Sequence, residues 1–233
     1  MNTLEGKVAL ITGAKGGLGS FITQAFLAAG AKVVGVSRSI QASDFPHPGF
    51  AAVPAELSSG EAARKVADDI VAQLGRIDTL VHVVGGFAGG QSVADTDDAT
   101  LDKMLDLNYR SAFFMARAVL PHMRQQGDGR ILAVASRQAV EPGAMVGAYS
   151  ASKAALVALI HTIALENKDR RISANTVLPG TMDTPANRAA DPKADPLQWV
   201  QPAQVAALLL AYLASDAGAQ VTGAAIPIYG RQV

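Results

Sequence analysis

The chain has 233 residues and as many Lys+Arg as Asp+Glu, 20 of each, so its formal net charge is zero. That length fits one large α/β domain or two small ones, and the charge balance argues against nucleic acid, an anionic membrane or a polyanionic substrate as partner. Hydrophobic residues make up 49% and charged residues 17%, enough apolar material for a substantial core and a composition unlike that of disordered chains.

Short β-branched runs alternate with longer Ala/Leu-rich segments. In chain order the pattern predicts a strand over 8–12, a helix over 18–29, and strands over 32–36 and 50–53. A helix over 60–74 leads to a strand over 79–84, and helices follow over 97–106 and 111–126. A strand over 130–135, a helix over 149–167, a strand over 172–177, a helix over 202–215 and a strand over 224–228 complete the series. The strands read as nearly continuous apolar runs, as expected for a parallel sheet covered by helices on both faces. Gly30, Gly75 and Gly127 follow three helices, where a left-handed residue ends a helix at little cost. No repeat or linker divides the chain, so 1–233 reads as one domain. The segment with Pro185, Pro192 and Pro196 reads as a flap over about 182–200, beside the site.

The absence of cysteine rules out disulfides and thiolate metal sites, and His47, His82, His122 and His161 form no metal-spaced pair. The start, Met1-Asn2-Thr3-Leu4, lacks a signal-peptide layout, and no apolar run approaches 18 residues. A soluble cytoplasmic protein without a metal is the expectation.

Between the first strand and first helix stands Thr12-Gly13-Ala14-Lys15-Gly16-Gly17-Leu18-Gly19. Glycines at 13, 17 and 19 would let the backbone turn tightly against a pyrophosphate, which the helix N-terminus attracts. The second strand ends in Val36-Ser37-Arg38. A free ribose 2′-OH is usually met here by an acid and a 2′-phosphate by arginine, so Ser37 and Arg38 favour NADP(H) over NAD(H). Lys15 is placed to reach the same phosphate. Further on, Tyr149 and Lys153 lie four residues apart on a predicted helix, hence on one face, with Ser136 thirteen residues before Tyr149. A nearby cation favours the phenolate form of a tyrosine whose reference pKa is about 10. Beside a nucleotide, such a pair suits hydride transfer coupled to proton transfer.

Taken together, Thr12-Gly13-x-x-x-Gly17-x-Gly19, Asn108, Ser136, Tyr149-x-x-x-Lys153 and Pro179-Gly180 followed by Thr184 resemble the short-chain dehydrogenases/reductases over almost the whole chain. The resemblance implies a Rossmann-like doubly wound sheet of about seven parallel strands, assembled as a homodimer or homotetramer. It also implies Tyr149 as general acid/base, Ser136 as a second hydrogen-bonding group for the carbonyl oxygen, and Lys153 as the cation that lowers the Tyr149 pKa and holds the nicotinamide ribose. Asn108 would position a water in the proton relay. Cofactor contacts implied in the same way fall on Gly13, Lys15, Gly17, Leu18, Gly19, Ser37, Arg38, Glu56, Leu57, Val84, Gly85, Tyr149, Lys153, Pro179, Gly180, Met182 and Thr184. Glu56 would face the adenine amine and Leu57 would supply a backbone amide.

Two places depart from the family pattern. The usual Asn-Asn-Ala-Gly is His82-Val83-Val84-Gly85 here, and His82 reads as a core histidine with hydrogen-bond partners. The end, Pro227-Ile228-Tyr229-Gly230, lacks the usual acid and paired glycines, which leaves the C-terminal subunit contact open. The loop Gly85-Gly86-Phe87-Ala88-Gly89-Gly90 and the run from Leu178 to Arg188 look like dihydropteridine reductases, in which a flat pterin would lie against Phe87. Ser136 and Arg38 argue the other way. The leading expectation is a reductase or dehydrogenase of a small carbonyl or alcohol, its pocket closed by the flap and lined by Met145, Val146 and Trp199. Pterin reduction is the alternative, and a non-catalytic dinucleotide sensor is the third reading.

Overall fold

The computed structural model describes residues 4–231, apart from the side chains of residues 211–213 and 217. The opening Met1-Asn2-Thr3 lies outside the described residues. Seven strands form the sheet: β1 (Val8–Thr12), β2 (Lys32–Ser37), β3 (Phe50–Pro54), β4 (Thr79–His82), β5 (Gly129–Val134), β6 (Ile172–Pro179) and β7 (Ala225–Ile228). All pairings are parallel, in the order β3-β2-β1-β4-β5-β6-β7. The strand order reverses between β1 and β4. A crevice opens beyond the C-terminal ends of the strands at such a reversal, and ligands of open α/β sheets bind there.

Seven α-helices accompany the strands: α1 (Gly19–Ala28), α2 (Gly60–Leu74), α3 (Asp98–Leu105), α4 (Ser111–Gln126), α5 (Gly147–Glu166), α6 (Pro185–Ala190) and α7 (Pro202–Leu208). Burial falls into two apolar layers, one on each sheet face. Leu10, Val34, Leu80 and Ile131 look toward α2, α4 and α5, where Ile70, Met115, Val119 and Leu156 are buried. Ala9, Ile11, Val33, Val81 and Leu132 look the other way, toward Ile22 and Phe26 of α1 and Val205 of α7. Alternate residues of one strand thus feed opposite cores, which explains why the strands read as continuous apolar runs.

Three differences from the sequence expectation have physical causes. β4 stops at His82 rather than Val84, because the chain leaves the sheet there to approach the glycine loop. The flap carries a helix, α6, with Pro185 in its first turn and Thr184 capping it by accepting from the Asn187 N–H. Proline breaks a helix interior but is favoured at its first position, where its missing N–H costs nothing. The third concerns α5, which has 20 residues and a mean hydropathy of 1.4 over 18 of them. By length and composition alone it could cross a membrane, contrary to the expectation of no such stretch. Here it is packed against the sheet, with Leu156, Ile160 and Ile163 buried beside Ser152 and Lys153.

Candidate active site

The glycine turn connects β1 to α1 at the crevice. Gly13 has φ +68°, and a Cβ there would come 3.0 Å from the Val84 nitrogen; one at Gly19 would come 2.0 Å from the Gly13 carbonyl oxygen. Any larger residue would force the turn apart. Leu18, just before α1, offers no side-chain cap, and the helix's first turn has no acid. By contrast α2 and α3 are capped by Ser59 and Asp97. The bare, positively polarised end of α1 and a turn without side-chain bulk fit a pyrophosphate. Across the crevice, a Cβ at Gly17 would meet the Thr184 methyl at 3.4 Å, so Thr184 sits next to the turn. Gly180, just past β6, is fixed by its N–H to the Ile228 carbonyl at 2.9 Å. Met182 bridges to Val200, which ties the flap's two arms together.

At the edge of the turn, the Lys15 N–H donates to the Ser37 hydroxyl at 3.3 Å. Arg38 follows, exposed. Leu57 is buried and Glu56 exposed, just beyond β3.

The second cluster lies at the ends of β4 and β5. Tyr149, in the first turn of α5, lies near Ser136, which directly follows β5 and Ala135. Burial pushes the phenol above its usual pKa, and the nearby Ser136 side chain pulls against that rise. One turn on, the buried Lys153 ammonium donates to the Val134 carbonyl at 2.9 Å. Its pKa is lowered to about 8 by burial. Lys153 is not among the influences on the Tyr149 phenol here; desolvation raises its pKa and Ser136 lowers it.

Asn108 lies in a π-helical turn, Asp106–Arg110, inserted between α3 and α4. Such one-residue expansions of a helix recur at functional sites. Its Oδ1 accepts from the Gly86 N–H at 2.9 Å; its Nδ2 donates to the Gly86 carbonyl and to the Ser152 hydroxyl, both at 3.0 Å. One amide hydrogen thus holds the loop after β4 and the other reaches α5, so the side chain clamps that loop against the helix. A Cβ at Gly85 would lie 2.8 Å from Asn108 Oδ1 and 3.1 Å from Lys153 Nζ. Asn108, Lys153 and Gly85 therefore converge, with Ser136 and Tyr149 beside them.

A model of short chain dehydrogenases matches residues 7–195. The chain belongs to that family. Among relatives of this short-chain dehydrogenase, it is 32% identical to a D-threitol dehydrogenase of Mycolicibacterium smegmatis, covering 97% of this chain and 93% of the relative. It is 30% identical to the 3-oxoacyl-[acyl-carrier-protein] reductase of Salmonella typhimurium, covering 98% of both chains. A crystal structure of a short-chain dehydrogenase/reductase from Burkholderia xenovorans superposes with a TM-score of 0.90 at 30% identity, over 98% of this chain and 96% of that one. The relatives differ in substrate but share a reaction class, interconversion of CH–OH and C=O. The family uses a nicotinamide dinucleotide, and the chain is an oxidoreductase of that class.

In this short-chain dehydrogenase His82 joins the two clusters. Its ring contacts the Thr12 hydroxyl through Nδ1 at 3.0 Å and the Ser111 hydroxyl through Nε2 at 3.2 Å. Ser111 donates its proton to the Leu107 carbonyl at 2.7 Å, so its oxygen must accept from the ring. That assigns the proton to Nε2 and leaves Nδ1 to accept from Thr12. The Thr12 oxygen in turn accepts from the Val83 N–H at 3.2 Å. The chain of bonds is complete only with a neutral imidazole. Burial and the Lys153 charge accordingly lower the His82 pKa to about 3.

The native value lies below the ordinary one of 6.5, so stability is lost as pH falls. The unfolded chain gains a proton below about pH 6.5, and the native state resists it until about pH 3. At pH 5 the loss amounts to roughly 2 kcal/mol. His82→Gln should flatten the fall in the urea midpoint between pH 7 and pH 5. Parallel wild-type and variant curves would remove this role.

Ser152, Thr12 and Ser111 were not among the expected site residues. Thr12 holds the loop after β4 through the Val83 N–H, while Ser111 bonds back to the Leu107 carbonyl and Ser152 to that of Tyr149; a hydroxyl in a motif such as Tyr149-Ser150-Ala151-Ser152-Lys153 gives no sign of which way it faces. Phe87 was expected as a pocket wall. Its ring packs edge-on against Tyr149 with centroids 4.9 Å apart, and it is 66% exposed. Val146 crowds Gly89, and the Met145 carbonyl accepts from the Gly90 N–H at 2.8 Å. Met145 has φ 65°, a strained conformation for a residue with a side chain. Trp199, half-buried, lies in the opposite arm of the flap.

Proposed function

We propose that the protein is an NADPH-preferring reductase of a small, largely uncharged carbonyl compound, or the corresponding alcohol dehydrogenase in reverse. The observation that carries this reading is the convergence of Lys153, Asn108 and Gly85, with Tyr149 beside it and near enough to Ser136 for the serine to act on its phenol. A bound nicotinamide supplies or takes up the hydride. Ser136 orients the substrate's carbonyl oxygen, and Tyr149 donates its phenolic proton to that oxygen as the carbonyl carbon gains its hydrogen. The buried Lys153 ammonium stabilises the phenolate that results and hydrogen-bonds the nicotinamide ribose. Asn108 holds Gly85 and Gly86 in place behind the ring, with Val84 supporting the turn at Gly13. Gly13, Gly17, Leu18 and Gly19 hold the pyrophosphate, while Pro179, Gly180, Met182 and Thr184 hold the nicotinamide end. Ser37 and Arg38 meet the 2′-phosphate, and Glu56 and Leu57 the adenine.

The exposed Phe87 edge on Tyr149 favours one second reading, reduction of a flat heterocycle such as a quinonoid pterin. Consumption of reduced dinucleotide with ketones, aldehydes and quinonoid pterins separates the two, and binding without any turnover would favour a sensor. Arg38→Asp should move the NADPH/NADH preference toward NADH by roughly 10- to 100-fold, the worth of a hydrogen bond to a charged group. An unchanged ratio would overturn the NADPH assignment. We also propose a cytoplasmic homodimer or homotetramer. The apolar groups exposed at Leu101, Phe113 and Leu165 on α3, α4 and α5 support self-association.

A further inference from the structure

Lys15 and Arg38 flank the end of β2, but they are differently engaged. Arg38 is exposed and has no ion pair among the described residues. The Lys15 ammonium lies 2.9 Å from Asp44 Oδ1 and donates to the Ser39 carbonyl at 3.3 Å. Lys15 is thus held by a carboxylate twenty-nine residues away, at the place where the cofactor's ribose substituent distinguishes NADPH from NADH.

Asp44 is itself fixed by the fold. Its Oδ2 accepts from the Gln41 N–H at 2.8 Å, across a single turn of 3₁₀ helix, Ala42–Asp44. The turn is anchored on both sides by buried side chains, Ile40 and Phe45, and the Phe45 ring packs on Phe50 of β3 with centroids 4.9 Å apart. The carboxylate is therefore presented by a rigid turn and does not reach Lys15 by chance from a floppy surface loop. It is held ionised, below the usual carboxylate range, first by the Gln41 N–H and then by Lys15.

We propose that Asp44 is a specificity-determining residue for the nucleotide. It occupies the Lys15 ammonium as an internal anion and so limits how much the 2′-phosphate of NADPH gains over the 2′-hydroxyl of NADH. The inference rests on the NADPH assignment above and goes beyond it. With Asp44 ionised, Lys15, Arg38 and Asp44 sum to one positive charge; without it they sum to two. A 2′-phosphate arriving with nearly two negative charges must displace the carboxylate from Lys15 and then remain near it. A 2′-hydroxyl meets neither cost. Arg38, free of any competing acid, supplies the basal preference, and Lys15 becomes the reserve that Asp44 controls.

The test measures dissociation constants of NADPH and NADH by the fluorescence of the bound reduced ring, without turnover. Asp44→Asn keeps an oxygen to accept from the Gln41 N–H, so the turn survives while the charge is removed. NADPH should bind tighter by roughly 3- to 5-fold, the upper part of the range for one exposed charge pair, with NADH within about 1.5-fold. Adding Lys15→Met to Asp44→Asn should abolish that gain, since no ammonium is left to release.

Unchanged NADPH affinity in Asp44→Asn overturns the inference. So does a weakening of NADH, which would make Asp44 a partner of the ribose hydroxyl. A gain that survives Lys15→Met also overturns it. Arg38→Asp in parallel keeps the two ideas apart. A swing toward NADH there with no effect of Asp44→Asn leaves the NADPH assignment standing and removes Asp44 alone. No swing there, with NADH the tighter ligand of the unsubstituted protein, removes the assignment itself.

Discussion

Tyr149→Phe is expected to lower turnover by about three orders of magnitude while leaving the dissociation constant of NADPH within a few-fold. Positioned proton transfer contributes roughly 10²- to 10⁴-fold, and the variant removes the hydroxyl while keeping the ring. The ring matters because Phe87 packs edge-on against it at 4.9 Å between centroids; a phenylalanine preserves that contact and the first turn of α5. Ser136 keeps the N–H of Gln138, which donates to its hydroxyl at 3.2 Å. The defect should therefore appear in kcat and not in folding. The elements assigned to the pyrophosphate and the 2′-phosphate, the turn after β1 and the end of β2, lie apart from Tyr149, so nucleotide affinity should hold.

The direction of the Tyr149 shift adds a pH signature. Burial raises its pKa above the usual value, so the proton-donating form is fully populated across neutral pH. Reduction should be insensitive to pH there, whereas alcohol oxidation, which needs the phenolate, should climb with pH. Wild-type turnover by Tyr149→Phe would remove Tyr149 as the proton donor.

The parallel sheet was legible because each strand feeds two cores, and a residue such as Leu10 or Ile11 is apolar whichever face it takes. The glycine turn was legible because Gly13 and Gly19 have no room for a Cβ, a requirement that restricts residue type directly. What escaped was of another kind. The π-turn at Asp106–Arg110 adds one residue to a helix and rotates its apolar face by about 100°, so 97–106 and 111–126 read as two helices with a short gap. α6 was hidden because Pro185 was weighed as a breaker, although Thr-Pro is also how a helix opens. The destinations of Lys15 and Lys153 were invisible for a third reason: a long cationic side chain is steered by whichever oxygen lies within reach. Asp44 and the Val134 carbonyl are brought within reach only by the path of β2 and β5.

Lys153→Met should abolish most of the activity and yet raise the melting temperature. Lys153 is 5% exposed; among the described residues its one hydrogen bond runs to the Val134 carbonyl, and no carboxylate pairs with it. Burial has lowered its pKa from 10.5 to about 8, a difference worth roughly 3 kcal/mol. Because the native value lies below the unfolded one, the cost of burying the charge is present in full below about pH 8. It fades as pH rises from there toward 10.5, since the native state sheds its proton first. Methionine has similar volume and no charge to desolvate. Against this gain stands the Val134 carbonyl, which loses its donor at a cost of about 1–3 kcal/mol. The net stabilisation at pH 7 is then up to about 2 kcal/mol, or a rise of as much as about 8 °C for a chain of this size. Between pH 8 and 10 the two melting temperatures should draw together. Such an exchange is expected of a group kept for chemistry at the expense of the fold. A variant that melts below the unsubstituted protein at pH 7 would mean that the buried charge is balanced by groups other than Val134. One that melts higher but turns over normally would show that the phenolate of Tyr149 needs no cation beside it.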